Sequence, residues 1–118
     1  MNLLIVEDNI HMRETIKKNL KRIDTQSIHE CNNGEEAIEL YEKIHPDWVL
    51  MDIEMEPVDG LSASKAIMKL HPEAKIIIVT NYDDAAYRQA AKKAGVVAYL
   101  LKENLWKISE LISTKEDV

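Results

Sequence analysis

The sequence predicts an α/β fold, a three-layer doubly wound (βα)5 unit in which helices cover both faces of a parallel sheet. Two observations carry this. Five short apolar runs alternate with five helical patterns along the chain. Such alternation implies right-handed crossovers between parallel strands. The runs themselves, such as Leu3-Leu4-Ile5-Val6 and Ile76-Ile77-Ile78-Val79, are continuously apolar. Strands covered on both faces read this way, whereas half-exposed strands alternate. A length of 118 residues fits one domain over 1–118.

The strands are predicted at Leu3–Val6, Ser27–Cys31, Trp48–Met51, Lys75–Thr80 and Val96–Leu100. The second carries Gln26, Ser27 and His29 at or beside it, which suits a sheet edge. Met12, Ile16, Leu20 and Ile23 recur every three or four residues and give the first helix one apolar face. Asn33-Gly34-Glu35-Glu36 reads as a helix start, with Asn33 as cap and Glu36 at the reciprocal position. Ala37, Leu40, Tyr41 and Ile44 continue that helix as its stripe. The third helix spans Leu61–Leu70 and the fourth Asp83–Ala94, ended by Gly95 in a left-handed turn. Leu105, Ile108, Leu111 and Ile112 mark the fifth. Ser113 to Val118 are polar and are expected to fray.

Composition narrows the function. Hydrophobic residues make up 46% and charged residues 31%, which is ordinary for a globular domain. Net charge is −6, and the densest basic run, Lys17 to Arg22, reads as a helix C-terminus complementing the dipole. Direct nucleic-acid binding by this segment is therefore disfavoured. Cys31 is the single cysteine, which rules out an internal disulfide and suits packing in a reducing compartment. No apolar run approaches the ~20 residues of a membrane span. These features predict a cytoplasmic protein without a membrane partner.

Doubly wound sheets place their sites at the carboxyl ends of the strands. Glu7 and Asp8 follow the first strand, Asp52 the third, and Lys102 the fifth, while Thr80 ends the fourth. The fold brings three carboxylates, a hydroxyl and an ammonium to one edge. Clustered carboxylates repel, and a divalent cation removes the conflict. Mg²⁺ suits an all-oxygen site and phosphate chemistry. Asp52, on a central strand between the acid pair and the Thr80/Lys102 side, is the candidate nucleophile, since carboxylates form acyl phosphates. Glu7 and Asp8 would hold the metal. Lys102 and Thr80 would meet phosphoryl oxygens.

With these residues in place the chain resembles the receiver family of two-component systems over essentially its whole length. Four segments in order carry the likeness: Leu3-Leu4-Ile5-Val6-Glu7-Asp8, Val49-Leu50-Met51-Asp52 with Asp59-Gly60, Ile77-Ile78-Val79-Thr80, and Ala94-Gly95 leading to Tyr99-Leu100-Leu101-Lys102. The resemblance implies a flavodoxin-like sheet in the order 2-1-3-4-5. It implies Mg²⁺ held by Glu7, Asp8, Asp52 and the backbone carbonyl of Glu54, and phosphotransfer to Asp52 from a histidine kinase. Thr80 and Tyr99 match the pair that repositions on phosphorylation. The stretch from Tyr99 to Glu103 is most similar to receivers that precede a helix-turn-helix output domain. Further implied partners are a C-terminal DNA-binding domain and a second copy docked through the face of the fourth helix, fifth strand and fifth helix. Three positions depart from the family pattern. Glu56 with Pro57 stands where proline usually comes one residue earlier, Asn81 replaces a small residue, and Glu103 replaces the proline after the lysine. The loop path after Asp52, access to the phosphoryl group and a cis peptide at Lys102–Glu103 are the features these put in question.

Two other readings compete. An aspartate-nucleophile, Mg²⁺-dependent phosphatase usually places two aspartates one residue apart after the first strand, and here Glu7 and Asp8 are adjacent. A receiver that works without phosphorylation is disfavoured by the intact set Glu7, Asp8, Asp52, Thr80 and Lys102. His11, His29, His45 and His71 are scattered and receive no metal or catalytic role; His45 and His71 precede prolines, as turn residues do. Tyr82, Tyr87 and Trp106 on or near the last two helices are candidates for an interaction face.

Overall fold

The computed structural model describes residues 1–116. Its elements are β1 (Asn2–Val6), α1 (Ile10–Lys18), β2 (Ser27–Cys31), α2 (Gly34–Ile44), β3 (Trp48–Met51), α3 (Gly60–Leu70), β4 (Ile76–Thr80), α4 (Ala85–Ala94), β5 (Ala98–Leu101), a 3₁₀ stretch (Lys102–Lys107) and α5 (Ile108–Glu116). All strands pair in parallel, in the order β2-β1-β3-β4-β5. The polar β2 is an edge strand, as its composition predicts.

Alternation along each strand sorts the core into two layers. Leu4, Val6, Val49, Met51, Ile76 and Ile78 pack with Ala37, Tyr41, Ala63, Ile67 and Ala91 of α2, α3 and α4. Leu3, Ile5, Trp48, Leu50, Ile77 and Val79 pack with Ile16, Leu20, Ile108 and Ile112 on the side of α1 and α5. Each fully buried Leu or Ile contributes roughly 1.5–3 kcal/mol. One-residue slips would exchange these layers, so the register is firmly set.

Several boundaries differ from expectation for local reasons. α1 stops at Lys18 because Asn19 caps it, its side chain donating to the Thr15 carbonyl at 2.9 Å. Ser109 of α5 donates to the Asn19 carbonyl at 2.7 Å, so Leu20 and Ile23 reach the apolar side through turns. At the reciprocal position, Asn33 accepts from the Glu36 amide at 2.9 Å and its own side-chain amide reaches the Glu36 carboxylate at 3.3 Å. Asp84 caps α4 by accepting from the Tyr87 amide at 2.8 Å, which leaves Asp83 outside the helix and paired with Arg88. β5 begins at Ala98 because Val96 still belongs to the end of α4. Its amide donates to Ala91 while Gly95, at φ 94°, donates to Lys92. This pair of bonds is the Schellman motif. α5 continues through Ser113 and Thr114 to Glu116 rather than fraying, while Asp117 and Val118 lie outside the described residues. The cis peptide among the described residues is Glu56–Pro57, not Lys102–Glu103. Among those residues no helix is long and apolar enough to cross a membrane.

Candidate functional site

The backbone ladder delivers the acidic residues to one end of the sheet. Glu7 continues from β1 by donating its amide to the Cys31 carbonyl at 3.0 Å, and the Asp52 amide donates to Val6 at 2.9 Å. Glu7 falls in the row of Leu3 and Ile5, and Asp52 in the row of Trp48 and Leu50, so both point to the α1/α5 side. Lys102 arrives there from the end of β5, whose Leu101 pairs with Thr80.

Gly60 fixes the loop after Asp52. Its amide donates to the Ile53 carbonyl at 2.8 Å, and a Cβ at this position would overlap the carbonyl oxygen of Asp52. Asp59 caps α3 by accepting from the Ser62 amide at 2.8 Å, so the Asp59-Gly60 pair turns the chain back against the site.

At the centre, the Lys102 Nζ lies 2.7 Å from Glu7 Oε1 and 3.3 Å from Asp52 Oδ1. Glu7 is 1% exposed and Asp52 6%. The second Glu7 oxygen accepts from the Asn9 amide at 3.2 Å. Two buried carboxylates sharing one ammonium leave negative charge uncompensated. Burial, and then the neighbouring Glu7 charge, push the Asp52 carboxyl up from 3.8 to about 7 against the pull of Lys102. Burial pulls the Lys102 ammonium down, but the hydrogen bond to Glu7 and the charge of Asp52 outweigh it, and its pKa is raised. Carboxylate oxygens of Glu7, Asp8 and Asp52 lie within 4.8 Å of one another. This all-oxygen set fits a hard divalent cation. A cavity of about 230 Å³ opens here, lined by Glu7, Asp8, Asn9, Asp52, Glu54, Asn81, Tyr82 and Lys102.

Neither Thr80 nor Tyr99 lines that cavity. Thr80 is 1% exposed and falls in the row of Ile76 and Ile78, on the opposite face from Asp52. Its hydroxyl accepts from the Tyr82 amide at 3.2 Å. Tyr99 packs on the same layer and donates its hydroxyl to the Tyr82 carbonyl at 2.6 Å, with the Arg88 guanidinium 4.6 Å from its ring centroid. Tyr82 is therefore held at both ends of its backbone. The neighbouring Glu54 carboxylate pushes its phenol above the usual pKa.

The sequence pattern marks Glu7, Asp8, Asp52, Glu54 and Lys102, and the fold brings them together. It overlooks Asn9 and gives Tyr82 only a place on an interaction face, yet both line the cavity. Their signal is position alone: Asn9 follows the acid pair and caps α1, and Tyr82 lies two residues past Thr80. Tyr87 meets the Tyr82 ring edge-on at 6.2 Å, whereas Trp106 lies elsewhere, over a groove shared with Lys18, Lys21 and Arg22. Burial pushes the Cys31 thiol up to about 11, which keeps it protonated and inert.

Comparison with known proteins gives the same outline. A family model described as the response regulator receiver domain matches residues 3–114. The chain is 38% identical over 100 residues to the chemotaxis protein CheY of Thermotoga maritima, covering 85% of this chain and 83% of that one. It is 34% identical over 104 residues to the transcriptional regulatory protein DegU of Brevibacillus brevis; this covers 87% of the chain but only 44% of DegU. A LuxR-family DNA-binding response regulator from Staphylococcus aureus superposes with a TM-score of 0.88 at 33% identity, covering 96% of each chain. The receiver domain of the Arabidopsis thaliana histidine kinase CKI1, in complex with Mg²⁺ and BeF₃⁻, superposes at 0.84 with 25% identity over 99% of this chain and 90% of that one. The fold, the acidic sheet edge and these likenesses converge, and the chain belongs to the receiver domains of two-component response regulators.

Proposed function

We propose that Asp52 accepts a phosphoryl group from a histidine kinase in a Mg²⁺-dependent reaction, and that the domain acts as a switch rather than a catalyst. The observation that carries this is the Lys102 ammonium placed between Glu7 and Asp52 beside the Glu7, Asp8 and Asp52 oxygens. Asp8, Asp52 and the Glu54 carbonyl, with Glu7, would hold Mg²⁺, which lowers the charge of the nucleophile and of the incoming phosphoryl oxygens. An Asp52 oxygen attacks phosphorus as the phosphorus–nitrogen bond of the donor phosphohistidine breaks, and the released imidazole takes a proton from solvent. Lys102 stays at the Asp52 oxygen and neutralises one phosphoryl oxygen.

The new acyl phosphate supplies acceptor oxygens for the Thr80 O–H, and turning toward them draws the hydroxyl oxygen away from the Tyr82 amide. Leaving the Tyr82 amide, Thr80 frees one end of the segment that Tyr99 holds at the other. The surface of α4, β5 and α5 then changes, and a second copy or a DNA-binding output domain is the partner that reads it. Asn81, which lines the cavity, tunes access of water to the phosphoryl group.

The test is incorporation of label from acetyl phosphate. The wild-type chain should take up hydroxylamine-labile label only with Mg²⁺, and Asp52→Asn should take up none. Undiminished label in Asp52→Asn would overturn the assignment.

A further inference from the structure

We propose that His45, His71 and Glu73 form a binding site for a transition-metal cation, with Zn²⁺ the best fit, at the sheet edge opposite Asp52. The sequence pattern treats these histidines as separate turn residues. Lateral packing of α2 on α3 makes them neighbours. His45 caps the C-terminus of α2 and His71 that of α3. Their rings meet edge-on with centroids 5.1 Å apart. One donor atom from each of His45, His71 and Glu73 lies within 4.8 Å of the others.

The His71 ring is oriented from behind. Its Nε2 lies 2.8 Å from a Glu42 oxygen, while Nδ1 faces Glu73 at 3.5 Å. With Nε2–H donated to Glu42, the lone pair sits on Nδ1 and points toward Glu73. A carboxylate behind a ligating imidazole is the usual support for a metal-bound histidine. The buried Tyr41 ring packs against both imidazoles, at 5.6 Å and 4.9 Å, and limits their rotation. Two helix C-termini converge here, and their partial negative charge favours a cation.

A plain ion pair of protonated His71 with Glu42 and Glu73 would explain part of this geometry. It leaves His45 unexplained. That residue sits at φ 48°, ψ 62°, a left-handed position where glycine or asparagine is usual. Two imidazoles and one carboxylate disfavour Mg²⁺ and suit Zn²⁺, with water completing an open tetrahedron. Zinc bonds of about 2.0–2.1 Å set donors roughly 3.4 Å apart, so the side chains must close by an ångström or so. His45 is exposed and the Glu73 side chain is 68% exposed, so both are free to make that movement. The length of β3, about 13 Å at ~3.3 Å per residue, separates this site from the acidic cavity. The two are chemically independent.

The experiment is calorimetric titration of metal-stripped full chain with Zn²⁺ in excess Mg²⁺, beside the histidine ring NMR signals. One saturable equivalent is expected in the wild type and in Asp52→Asn, with shifts of the His45 and His71 resonances. His45→Gly places the favoured residue at the left-handed cap, so it should fold and lose saturable binding. Glu42→Gln should weaken binding by about 10–100-fold. Added Zn²⁺ should raise the thermal midpoint of the wild type and leave that of His45→Gly unchanged. No saturable binding in the wild type, wild-type affinity in His45→Gly, or loss of binding in Asp52→Asn would each overturn the proposal.

Discussion

Asp52→Asn is expected to stabilise the metal-free domain, and to do so more at high pH than at low pH. The Asp52 carboxyl has an ordinary value of 3.8 and is pushed to about 7 by burial and by Glu7. Below its ordinary value the group is protonated whether the chain is folded or not, and it costs nothing. As the pH rises from about 4 toward 7, the unfolded chain releases this proton while the folded chain keeps it. Folding stability therefore falls through that window and levels off above it. At ~1.4 kcal/mol per tenfold, the loss at pH 8 is on the order of 4 kcal/mol, against about 1–2 kcal/mol at pH 5. The asparagine amide also gives up the 3.3 Å contact with Lys102, so these figures are ceilings for the gain. The assay is urea unfolding in EDTA at both pH values, read by the fluorescence of the fully buried Trp48. Titrating groups away from Glu7 and Lys102 are common to both proteins and cancel in the difference between them. The reasoning fails if stability falls equally in both proteins between pH 5 and pH 8.

Two further outcomes follow from the same geometry. Lys102→Met removes the cation shared by Glu7 and Asp52, and in saturating Mg²⁺ it should slow labelling by acetyl phosphate on the order of 10²–10³-fold; an unchanged rate would show that the ammonium is dispensable. Gly60→Ala forces a methyl group into the Asp52 carbonyl and should cost about 1–3 kcal/mol in urea unfolding, as overpacking does. Stability equal to wild type would mean that the loop has room the structure does not show.

The sheet was legible because a strand buried on both faces has to be apolar throughout. Runs such as Trp48–Met51 meet that demand, and their bounds agree with the paired strand. Caps were legible where a side chain does the capping, as Asn33 does. The start of β5 was not, because Val96 is apolar whether it pairs in a sheet or closes a helix. The acidic cluster was readable from strand ends alone. The direction of Thr80 was not. Taking every strand-end residue to face one cavity ignores alternation, which puts Thr80 in the row of Ile76 and Ile78 and Asp52 in that of Trp48 and Leu50. The meeting of His45 with His71 was also hidden, since it depends on how α2 lies against α3 and leaves no periodic trace.

The placement of Thr80 gives the proposed switch its physical content. A hydroxyl already aimed at Asp52 would gain a bond on phosphorylation and change little else. Here the hydroxyl oxygen accepts from the Tyr82 amide, and Tyr82 is also held by Tyr99 at its carbonyl. Drawing Thr80 toward a phosphoryl oxygen lets its O–H donate a charge-assisted bond, and the movement takes its oxygen away from the Tyr82 amide. One of two hydrogen-bonded restraints on the segment that leads into α4 is thereby lost. Each neutral bond lost costs only about 0.5–1.5 kcal/mol, so in the proposed switch phosphorylation would shift a population of loop conformers rather than create a new fold. A partner that binds the α4–β5–α5 face can amplify that shift only as far as it prefers one conformer over the other.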